Sequence, residues 1–435
     1  MSMMSSINSA GVRKTRLLTV LDIGSSKIAC IIARLRPLNH IQHLPGRTYR
    51  MEVLGFGVQR SRGVKSGVII DLAVAEQAVR LAVDAAERMA GLIVDSVIVN
   101  FSCRGMKSSH IAAEVPVKGH AVTMRDIRRV LSAGSHIAFH HDRPVIHSLP
   151  VSFSLDGEQN MTDPQDMIGN VLGVDMHIVT ADSAPLRNLE HCINRAHLSV
   201  ERMVATPFAS GLSILVDDEA ELGAVCIDIG GGMTTMSVFN KGKFVFADSL
   251  ALGGNHITLD IAHGFSISIE EAERLKVMHG SALSFGADDR NIITLPPLHT
   301  TGDGAAQYPR SMLSRIIRAR VEEILELVRA RLGCSNFGTV IGKRLILTGG
   351  GSQLTGLPEV ARRILSRRLR IGRPLGISGL PDIARGGAFS TIVGLLIYPQ
   401  SAGFDDQKLR FISAEWPEAK EGRFQRVGRW LRESF

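Results

Sequence analysis

Two stretches of the chain share one pattern of apolar and polar positions. In each, an apolar run (17–21 or 224–227) meets an aspartate, turns on glycine and small residues, and continues as a second apolar run. The turns read Asp22-Ile23-Gly24-Ser25-Ser26-Lys27 and Asp228-Ile229-Gly230-Gly231-Gly232-Met233-Thr234. This pattern predicts two β-hairpins whose tight turns present backbone N–H groups to an anion. Each aspartate is placed to orient water around a bound Mg²⁺ ion.

A third glycine cluster follows the apolar run 343–348 and reads Gly349-Gly350-Gly351-Ser352, with Leu354 shortly after it. Glycines there let the backbone approach a flat ligand such as a purine ring. The two hairpins lie 206 residues apart (228 minus 22), which predicts two related halves rather than a tandem array. The chain has no P-loop motif, and neither hairpin matches the dinucleotide-binding fingerprint, so both of those folds are excluded.

Apolar spacing in the rest of the chain predicts the domain organisation. Helical spacing recurs over 73–90, 123–138, 186–196, 207–215, 268–278, 311–332, 360–369 and 388–397. Short predicted strands around the second of these helices indicate a small α/β subdomain inserted in the first half. The predicted parts are a disordered N-terminus (1–15), a first core subdomain (16–94 and 179–206), the insertion (95–178), a second core subdomain (207–253 and 325–398), a smaller subdomain (254–324), a flexible linker (399–420) and a C-terminal helix (421–435).

The last fifteen residues predict a basic amphipathic helix. One helical face carries Phe424, Val427, Trp430, Leu431 and Phe435, and the flanking positions carry Arg423, Arg426, Arg429 and Arg432. Such a helix is suited to a membrane interface, where each arginine gains about 1 kcal/mol from anionic headgroups. The alternative is a helix that docks onto the protein's own core; the polar linker before it favours the membrane.

Composition narrows the classes of partner. The 435 residues exceed the roughly 250–300 at which one core stops growing, so two or more lobes are expected. A net charge of +8 indicates an anionic partner, and three Tyr with two Trp are too few for a base-stacking surface, which argues against nucleic acid. Five scattered cysteines indicate reduced thiols, as in a cytoplasmic protein. Neither a secretory signal nor a membrane-spanning run is recognisable.

The order of the three glycine motifs is similar to the phosphate-1, phosphate-2 and adenosine motifs of the actin, Hsp70 and sugar-kinase superfamily. Further segments, at 67–72, 207–210, 253–262 and 272–280, resemble the FtsA family of bacterial cell-division proteins, and the likeness covers nearly the whole chain. The resemblance implies an α/β, actin-like, two-lobed ATPase fold. It has a duplicated core, an SHS2-like insertion in the first lobe and a C-terminal amphipathic helix.

The resemblance also implies ATP with Mg²⁺ between the lobes. The phosphates would meet Gly24, Ser25, Ser26 and Lys27 on one side and Gly230, Gly231, Gly232, Met233 and Thr234 on the other. Glu273 and Lys276 would approach the ribose and base, while Gly350, Gly351, Ser352 and Leu354 would line the purine. Asp22 and Asp228 would hold the metal through water and are the candidates for positioning an attacking water. On spacing alone, Glu273 and Lys276 are an exposed helical pair.

Slow hydrolysis at most is expected. The segment that joins the halves reads Val204-Ala205-Thr206-Pro207-Phe208, without the carboxylate or amide with which relatives position the attacking water. We therefore expect ATP to set lobe closure and polymerisation. The alternative is a catalytic member of the superfamily, a sugar kinase or chaperone-type ATPase, but no convincing set of polar substrate-binding residues is found for the kinase.

Family membership further implies a role and partners. The protein would polymerise on the cytoplasmic face of the inner membrane at the division site, tether the tubulin-like FtsZ ring there and recruit later division proteins. The acidic tail of FtsZ would dock on 254–324, with Arg310, Arg315 and Arg318 as candidate contacts. A metal site at His136, His140 and His141 is disfavoured, since Asp142 alone could complete the ligand set.

Overall fold

The computed structural model describes residues 16–37, 49–138, 143–283, 290–295, 306–335, 337, 344–365 and 368–401. The predicted N-terminal segment 1–15 lies outside the described residues. So do His140 and His141, the linker beyond Ser401 and the amphipathic helix with its membrane-facing residues 423–435.

The first half begins with an antiparallel meander of three strands, β1 (Arg16–Ile23), β2 (Lys27–Pro37) and β3 (Tyr49–Arg60). The chain continues through the short hairpin β4 (Val64–Lys65) and β5 (Val68–Ile69), helix α1 (Leu72–Ala90) and strand β6 (Ser96–Phe101). Helix α1 begins at Asp71, whose side chain accepts the Val74 N–H, and ends at Gly91 in the left-handed conformation that glycine tolerates. The helix predicted at 73–90 is confirmed.

The insertion is a four-stranded antiparallel sheet with one helix packed on it. Its elements are β7 (Lys107–Pro116), α2 (Met124–Ala138), β8 (Val145–Leu155), β9 (Glu158–Met161) and β10 (Val171–Thr180), in the sheet order β7-β10-β8-β9. The chain then returns to the first half through α3 (Ser183–Arg195) and β11 (Ser199–Ala205). The predicted start of the insertion at 95 is wrong, because β6 pairs in parallel with β1 and β11 and so belongs to the first sheet.

The second half repeats the plan with additional helices. In chain order it comprises α4 (Thr206–Ile214), α5 (Asp217–Leu222), β12 (Ala224–Ile229), β13 (Thr234–Asn240), β14 (Lys243–Leu250), α6 (Gly254–Phe265), α7 (Ile269–His279), β15 (Ile292–Leu295), β16 (Ala306–Pro309), α8 (Arg310–Cys334), β17 (Arg344–Thr348), α9 (Leu357–Leu365), β18 (Arg368–Ile371) and α10 (Ser390–Ser401).

Three predicted boundaries differ from the structure. Helix α8 runs unbroken across the boundary placed at 324–325, because its buried stripe faces one continuous core. The helix predicted over 360–369 ends at Leu365, and Arg368 pairs in parallel with β17 instead. Helix α10 continues past the linker start placed at 399 and ends at Ser401, and in its last turn the Gln400 side chain accepts the Tyr49 N–H at 3.0 Å.

The two halves have the same sheet topology. The first sheet has the order β3-β2-β1-β6-β11 and the second β14-β13-β12-β17-β18. In both, the first two pairings are antiparallel and the last two parallel. The predicted duplication is therefore confirmed, and the turns β1–β2 and β12–β13 occupy equivalent positions in the two halves.

Helices α4 and α10 pack closely at the centre of the fold. A Cβ atom built on Gly394 of α10 would lie 1.7 Å from the Ala209 carbonyl oxygen of α4, so only glycine permits this crossing. Both helices begin near the hairpin turns, with Thr206 and Thr391 in their first turns. Their packing fixes where the second hairpin lies relative to the first.

The insertion also contacts the second half, through two histidines. The His110 ring stacks on His177 at 5.4 Å between centroids, and His110 Nε2 lies 2.9 Å from the Val245 carbonyl oxygen of β14. The Ala247 N–H of β14 donates to Ser108 Oγ at 3.2 Å. Strand β14 is at the edge of its sheet, so side chains of the insertion satisfy backbone groups that an edge leaves unpaired.

Candidate functional site

A cavity of about 390 Å³ lies between the two halves. This volume is within the range of small-molecule sites. Most of the residues predicted to bind a ligand line it: Asp22, Gly24, Ser25, Ser26, Lys27, Asp228, Gly230, Gly231, Gly232, Met233, Glu273, Lys276, Gly350, Gly351 and Leu354. Thr234 and Ser352 do not line it. The hydroxyl of Thr234 donates to the Leu252 carbonyl, and that of Ser352 donates to the Gly349 carbonyl.

The two hairpin turns are built alike. The Gly24 N–H donates to the Lys27 carbonyl at 3.0 Å, and the Gly230 N–H donates to the Met233 carbonyl at 2.8 Å. Within the described residues, the amides of the two-residue tips, 25–26 and 231–232, donate to no protein acceptor. Such amides can donate to an anionic oxygen.

The tips also pack against each other. A Cβ atom on Gly232 would lie 2.5 Å from Ser25 Oγ, and one on Gly231 would lie 2.9 Å from the Ser26 Cβ. Larger residues at these two positions would push the halves apart. The glycines are therefore required by the closeness of the two turns.

The carboxylate of Asp228 is held by two hydroxyl groups. Oδ2 accepts from Ser210 of α4 and, at 3.2 Å, from Thr391 of α10. Gly349 lies against Oδ1, where a Cβ would approach to 2.3 Å, and has a φ of +86°. Burial raises the pKa of Asp228 above its usual value, against the effect of the Ser210 hydrogen bond and of Lys27.

Asp22 differs from Asp228 in its surroundings. It is buried at 5% exposure and lines the cavity, and within the described residues its carboxylate accepts no hydrogen bond. Burial raises the pKa of Asp22 to about 6; Lys27 acts in the opposite direction and Asp228 reinforces the shift. Two buried carboxylates with one neighbouring lysine leave negative charge that a hydrated divalent cation would balance. This donor set fits Mg²⁺ held through water.

Lys27 bridges the two halves. Its ammonium group donates to the Ala388 carbonyl and lies 4.7 Å from the centre of the Phe389 ring. The same group lowers the pKa values of both Asp22 and Asp228. Lys27 is therefore close to both carboxylates and to the segment just before α10.

Glu273 and Lys276 are not a simple exposed pair. Lys276 Nζ donates to Glu273 Oε2 at 2.6 Å, to the Thr258 hydroxyl at 2.7 Å and to the Gly254 carbonyl at 3.1 Å. The Lys276 side chain is 14% exposed. The pair thus fastens α7 to the first turns of α6 while both residues line the cavity.

Several lining residues escaped the sequence analysis. They include Asn100, Asn255, Gln353, Thr355, Ala388 and Thr391. Gln353 lies within the third glycine cluster and Asn255 directly follows Gly253-Gly254, but neither was named as a ligand contact. Asn100 Oδ1 accepts the Ile23 N–H at 2.7 Å, and its Nδ2 donates to Thr206 Oγ1 at 3.3 Å. Asn100 is a polar residue near the end of the apolar strand β6, which was the one available signal. The joining segment contributes Thr206 to the cavity.

Comparison with known proteins shows the family. A family model described as Cell division protein FtsA matches residues 225–394, and one described as the SHS2 domain inserted in FTSA matches 104–180. Cell division protein FtsA of Rhizobium meliloti (strain 1021) is 56% identical over 426 residues, which cover 97% of this chain and 96% of that protein. The chain belongs to the FtsA family. The relative from Agrobacterium fabrum is 54% identical over 424 residues, with 97% and 96% covered.

The FtsA family accounts for the insertion and the fold. A solved PilM-PilN type IV pilus biogenesis complex is similar in structure, with a TM-score of 0.60, 16% identity and coverage of 88% of this chain and 98% of that chain. The fold is actin-like, as predicted, and the inserted subdomain is an SHS2 domain. The protein is thus a cell-division protein with an actin-like fold.

Among the described residues, no helix has the length and hydropathy needed to cross a membrane.

The three arginines proposed for partner contact differ in their surroundings. Arg310 Nε donates to the His279 carbonyl at 3.1 Å, and Arg318 pairs with Glu322 at 2.8 Å. Arg315 is exposed on α8 and pairs with no carboxylate of the described chain. Of the three arginines proposed for partner contact, Arg315 is the most available.

Proposed function

We propose that the cleft binds ATP with Mg²⁺ and that the nucleotide holds the two halves of an FtsA-family protein in one relative position. The observation that carries the proposal is the pair of equivalent turns that line one cavity and whose tip amides, among the described residues, donate to no protein acceptor. A polyphosphate between them would receive N–H donors from both sides. Asp22 and Asp228 would hold the metal through water, which supplies positive charge against the phosphates.

In this proposal ATP acts mainly as a bound ligand and is hydrolysed slowly at most. Asp228 is committed to two hydroxyl groups, and Asn100 is committed to the Ile23 amide and Thr206. Asp22 is the remaining carboxylate that could order a water molecule near the phosphates. Fast phosphoryl transfer needs a dedicated group to orient the nucleophile as well as a metal, so slow turnover is expected.

The protein would act on the cytoplasmic face of the inner membrane at the division site. The segment 421–435 would lie in the interface as an amphipathic helix and anchor the protein there. Filaments of this chain would tether the acidic tail of FtsZ through 254–324, where exposed Arg315 is the leading contact. Later division proteins would be recruited through the SHS2 domain. These roles are supported by family membership and by the sequence of the terminal segment.

A fluorescent ATP analogue titrated with and without Mg²⁺ tests the nucleotide proposal. Gly232→Val would drive a branched side chain into Ser25 and should lower the affinity at least tenfold. Gly333→Ala is a matched control, because a Cβ there meets nothing within 4 Å. Unchanged affinity in the Gly232 variant, with the fold intact, would refute the assignment.

Vesicle co-sedimentation tests the membrane role. The full chain should sediment with vesicles containing phosphatidylglycerol, and a chain lacking 421–435 should remain in the supernatant. Trp430→Glu should release the protein while leaving ATP affinity unchanged. Equal sedimentation of the full and shortened chains would contradict an anchor in this segment.

A further inference from the structure

A cluster of arginines lies at the end of the first sheet that is opposite the β1–β2 turn. β2 ends and β3 begins there, and their pairing places Arg36 opposite Arg50 and Arg34 opposite Glu52. Leu17 of β1 is opposite Arg34. Because directly paired residues share a face of a sheet, these side chains lie together on one surface. We call Arg34, Arg36 and Arg50 the arginine patch.

The patch has more positive than negative charge. Glu52 is shared by Arg34 at 3.6 Å and Arg36 at 3.1 Å, while Arg50 is exposed and pairs with no carboxylate among the described residues. The side chain of Arg36 is 55% exposed, and Leu17 beside it is 57% exposed. An apolar side chain among guanidinium groups is the arrangement that suits a lipid headgroup layer.

The chain leaves the folded body next to this patch. Helix α10 ends at Ser401, and its Gln400 side chain accepts the amide of Tyr49, which neighbours Arg50. The 19 residues of 402–420 separate this exit from the terminal segment. For the flexible linker that the sequence predicts, this length gives a root-mean-square end-to-end distance of about 25 Å, which would allow the patch to reach a bilayer that holds the terminal helix.

We propose that the arginine patch is a second contact with anionic lipid headgroups, engaged when the terminal helix has inserted. The proposal rests on the membrane role proposed above. Guanidinium groups bind phosphate oxygens through paired hydrogen bonds, and the contact is strongest within a Debye length, about 8 Å at physiological salt. The terminal segment is itself basic, with Arg423, Arg426, Arg429 and Arg432, so its charge is not complementary to that of the patch.

The patch has a direct test in the full chain. The variant carries Arg34→Gln, Arg36→Gln and Arg50→Gln, and the control carries Arg104→Gln, Arg125→Gln and Arg128→Gln, three exposed arginines on the insertion side. Binding is measured with vesicles of phosphatidylcholine alone and with an equal part of phosphatidylglycerol. Each arginine near an anionic surface increases affinity about fivefold, so the patch variant should lose at least tenfold on the anionic vesicles.

The opposite change should have the opposite effect. Glu52→Gln removes the acid that Arg34 and Arg36 share and should raise affinity for anionic vesicles about fivefold. Neither the patch variant nor Glu52→Gln should alter binding to phosphatidylcholine alone. Thermal unfolding and ATP-analogue affinity of each variant report whether the fold and the cleft are intact.

The outcomes separate this proposal from the membrane role itself. If the patch variant and the control bind alike while removal of 421–435 abolishes binding, the patch proposal is overturned and the anchor stands. If removal of 421–435 changes nothing, the anchor fails. If the patch variant binds anionic vesicles more tightly than the parent, the arginines do not contact the headgroups, and the lipid contact is overturned.

Discussion

Replacing His177 with Phe should remove an acid-sensitive element from the contact between the SHS2 domain and the second half. His177 is fully buried on β10, its ring lies 4.8 Å from the Phe244 ring between centroids, and its Nδ1 has no hydrogen-bond partner among the described residues. Burial, reinforced by the nearby His110 and His147, lowers the pKa of His177 to about 3. The folded protein therefore keeps this ring neutral, whereas the unfolded chain protonates it near pH 6.5.

The magnitude follows from proton linkage. Above pH 6.5 the ring is neutral in both the folded and the unfolded state, so His177 does not lower the free energy of unfolding. As the pH falls below 6.5, the ring becomes protonated in the unfolded state but stays neutral in the folded state, which favours unfolding. Each pH unit then costs about 1.36 kcal/mol, so the loss reaches about 2.7 kcal/mol at pH 4.5. His177→Phe should abolish this part of the pH dependence.

Urea unfolding of both proteins at pH 7.5, 6.0 and 4.5 measures the difference. At pH 7.5 the variant should be within about 1 kcal/mol of the parent, since a lost hydrogen bond to Ser108 is offset by loss of the unpaired nitrogen. At pH 4.5 the variant should be the more stable. His110, whose pKa is raised overall by Asp175 and the Val245 carbonyl despite its burial, is present in both proteins. Parallel stability curves for parent and variant would refute the reasoning.

Three further changes probe the cleft. Gly349→Ala, at a φ of +86°, should lower the free energy of unfolding by about 1–3 kcal/mol through backbone strain and should displace Asp228. We expect a tenfold loss of ATP-analogue affinity, measured by titration, with Gly333→Ala as the neutral control. Asp22→Asn should stabilise the ligand-free protein by about 3 kcal/mol at pH 8, where the parent carboxylate is ionised above its pKa of about 6, but not below pH 4; thermal unfolding across pH measures this. Lys27→Met should raise both carboxyl pKa values and weaken Mg²⁺-dependent binding, seen by titration at pH 6 and 8.

The hairpin turns could be predicted because their chemistry is local. A two-residue tip between apolar strands needs glycine or small residues, and an aspartate at a strand end is visible without knowledge of distant contacts. The repeat at Asp22 and Asp228 then predicted two halves, which the matching sheet orders confirm. The third cluster was found for the same reason, since Gly349 has a backbone conformation that few other residues adopt.

Other parts of the site depend on contacts between distant segments. Thr391 reaches Asp228 across 163 positions of sequence, and Lys27 reaches Ala388 across 361. Neither Thr391 nor Ala388 lies in a motif, so only the packing of α10 on α4 brings them to the cavity. The start of the insertion was misplaced for a related reason: β6 is an apolar strand like its neighbours, and its partners β1 and β11 cannot be recognised from periodicity.

Helix α10 runs between the two regions that the proposals concern, the cleft and the arginine patch. Its first turn carries Thr391, which donates to Asp228 in the cleft, and its last turn carries Gln400, which holds Tyr49 beside the arginine patch. Gly394 holds the middle of the helix against Ala209 of α4, while Pro399 interrupts the helix one residue before Gln400. If the nucleotide proposed for the cleft moves Thr391, we expect α10 to carry the movement as far as Gly394, and the Tyr49 amide tests whether it continues past Pro399 to the chain exit. A nucleotide-dependent change in hydrogen exchange at the Tyr49 amide would be its signature, while exchange confined to the hairpin tips would show that the two ends are independent.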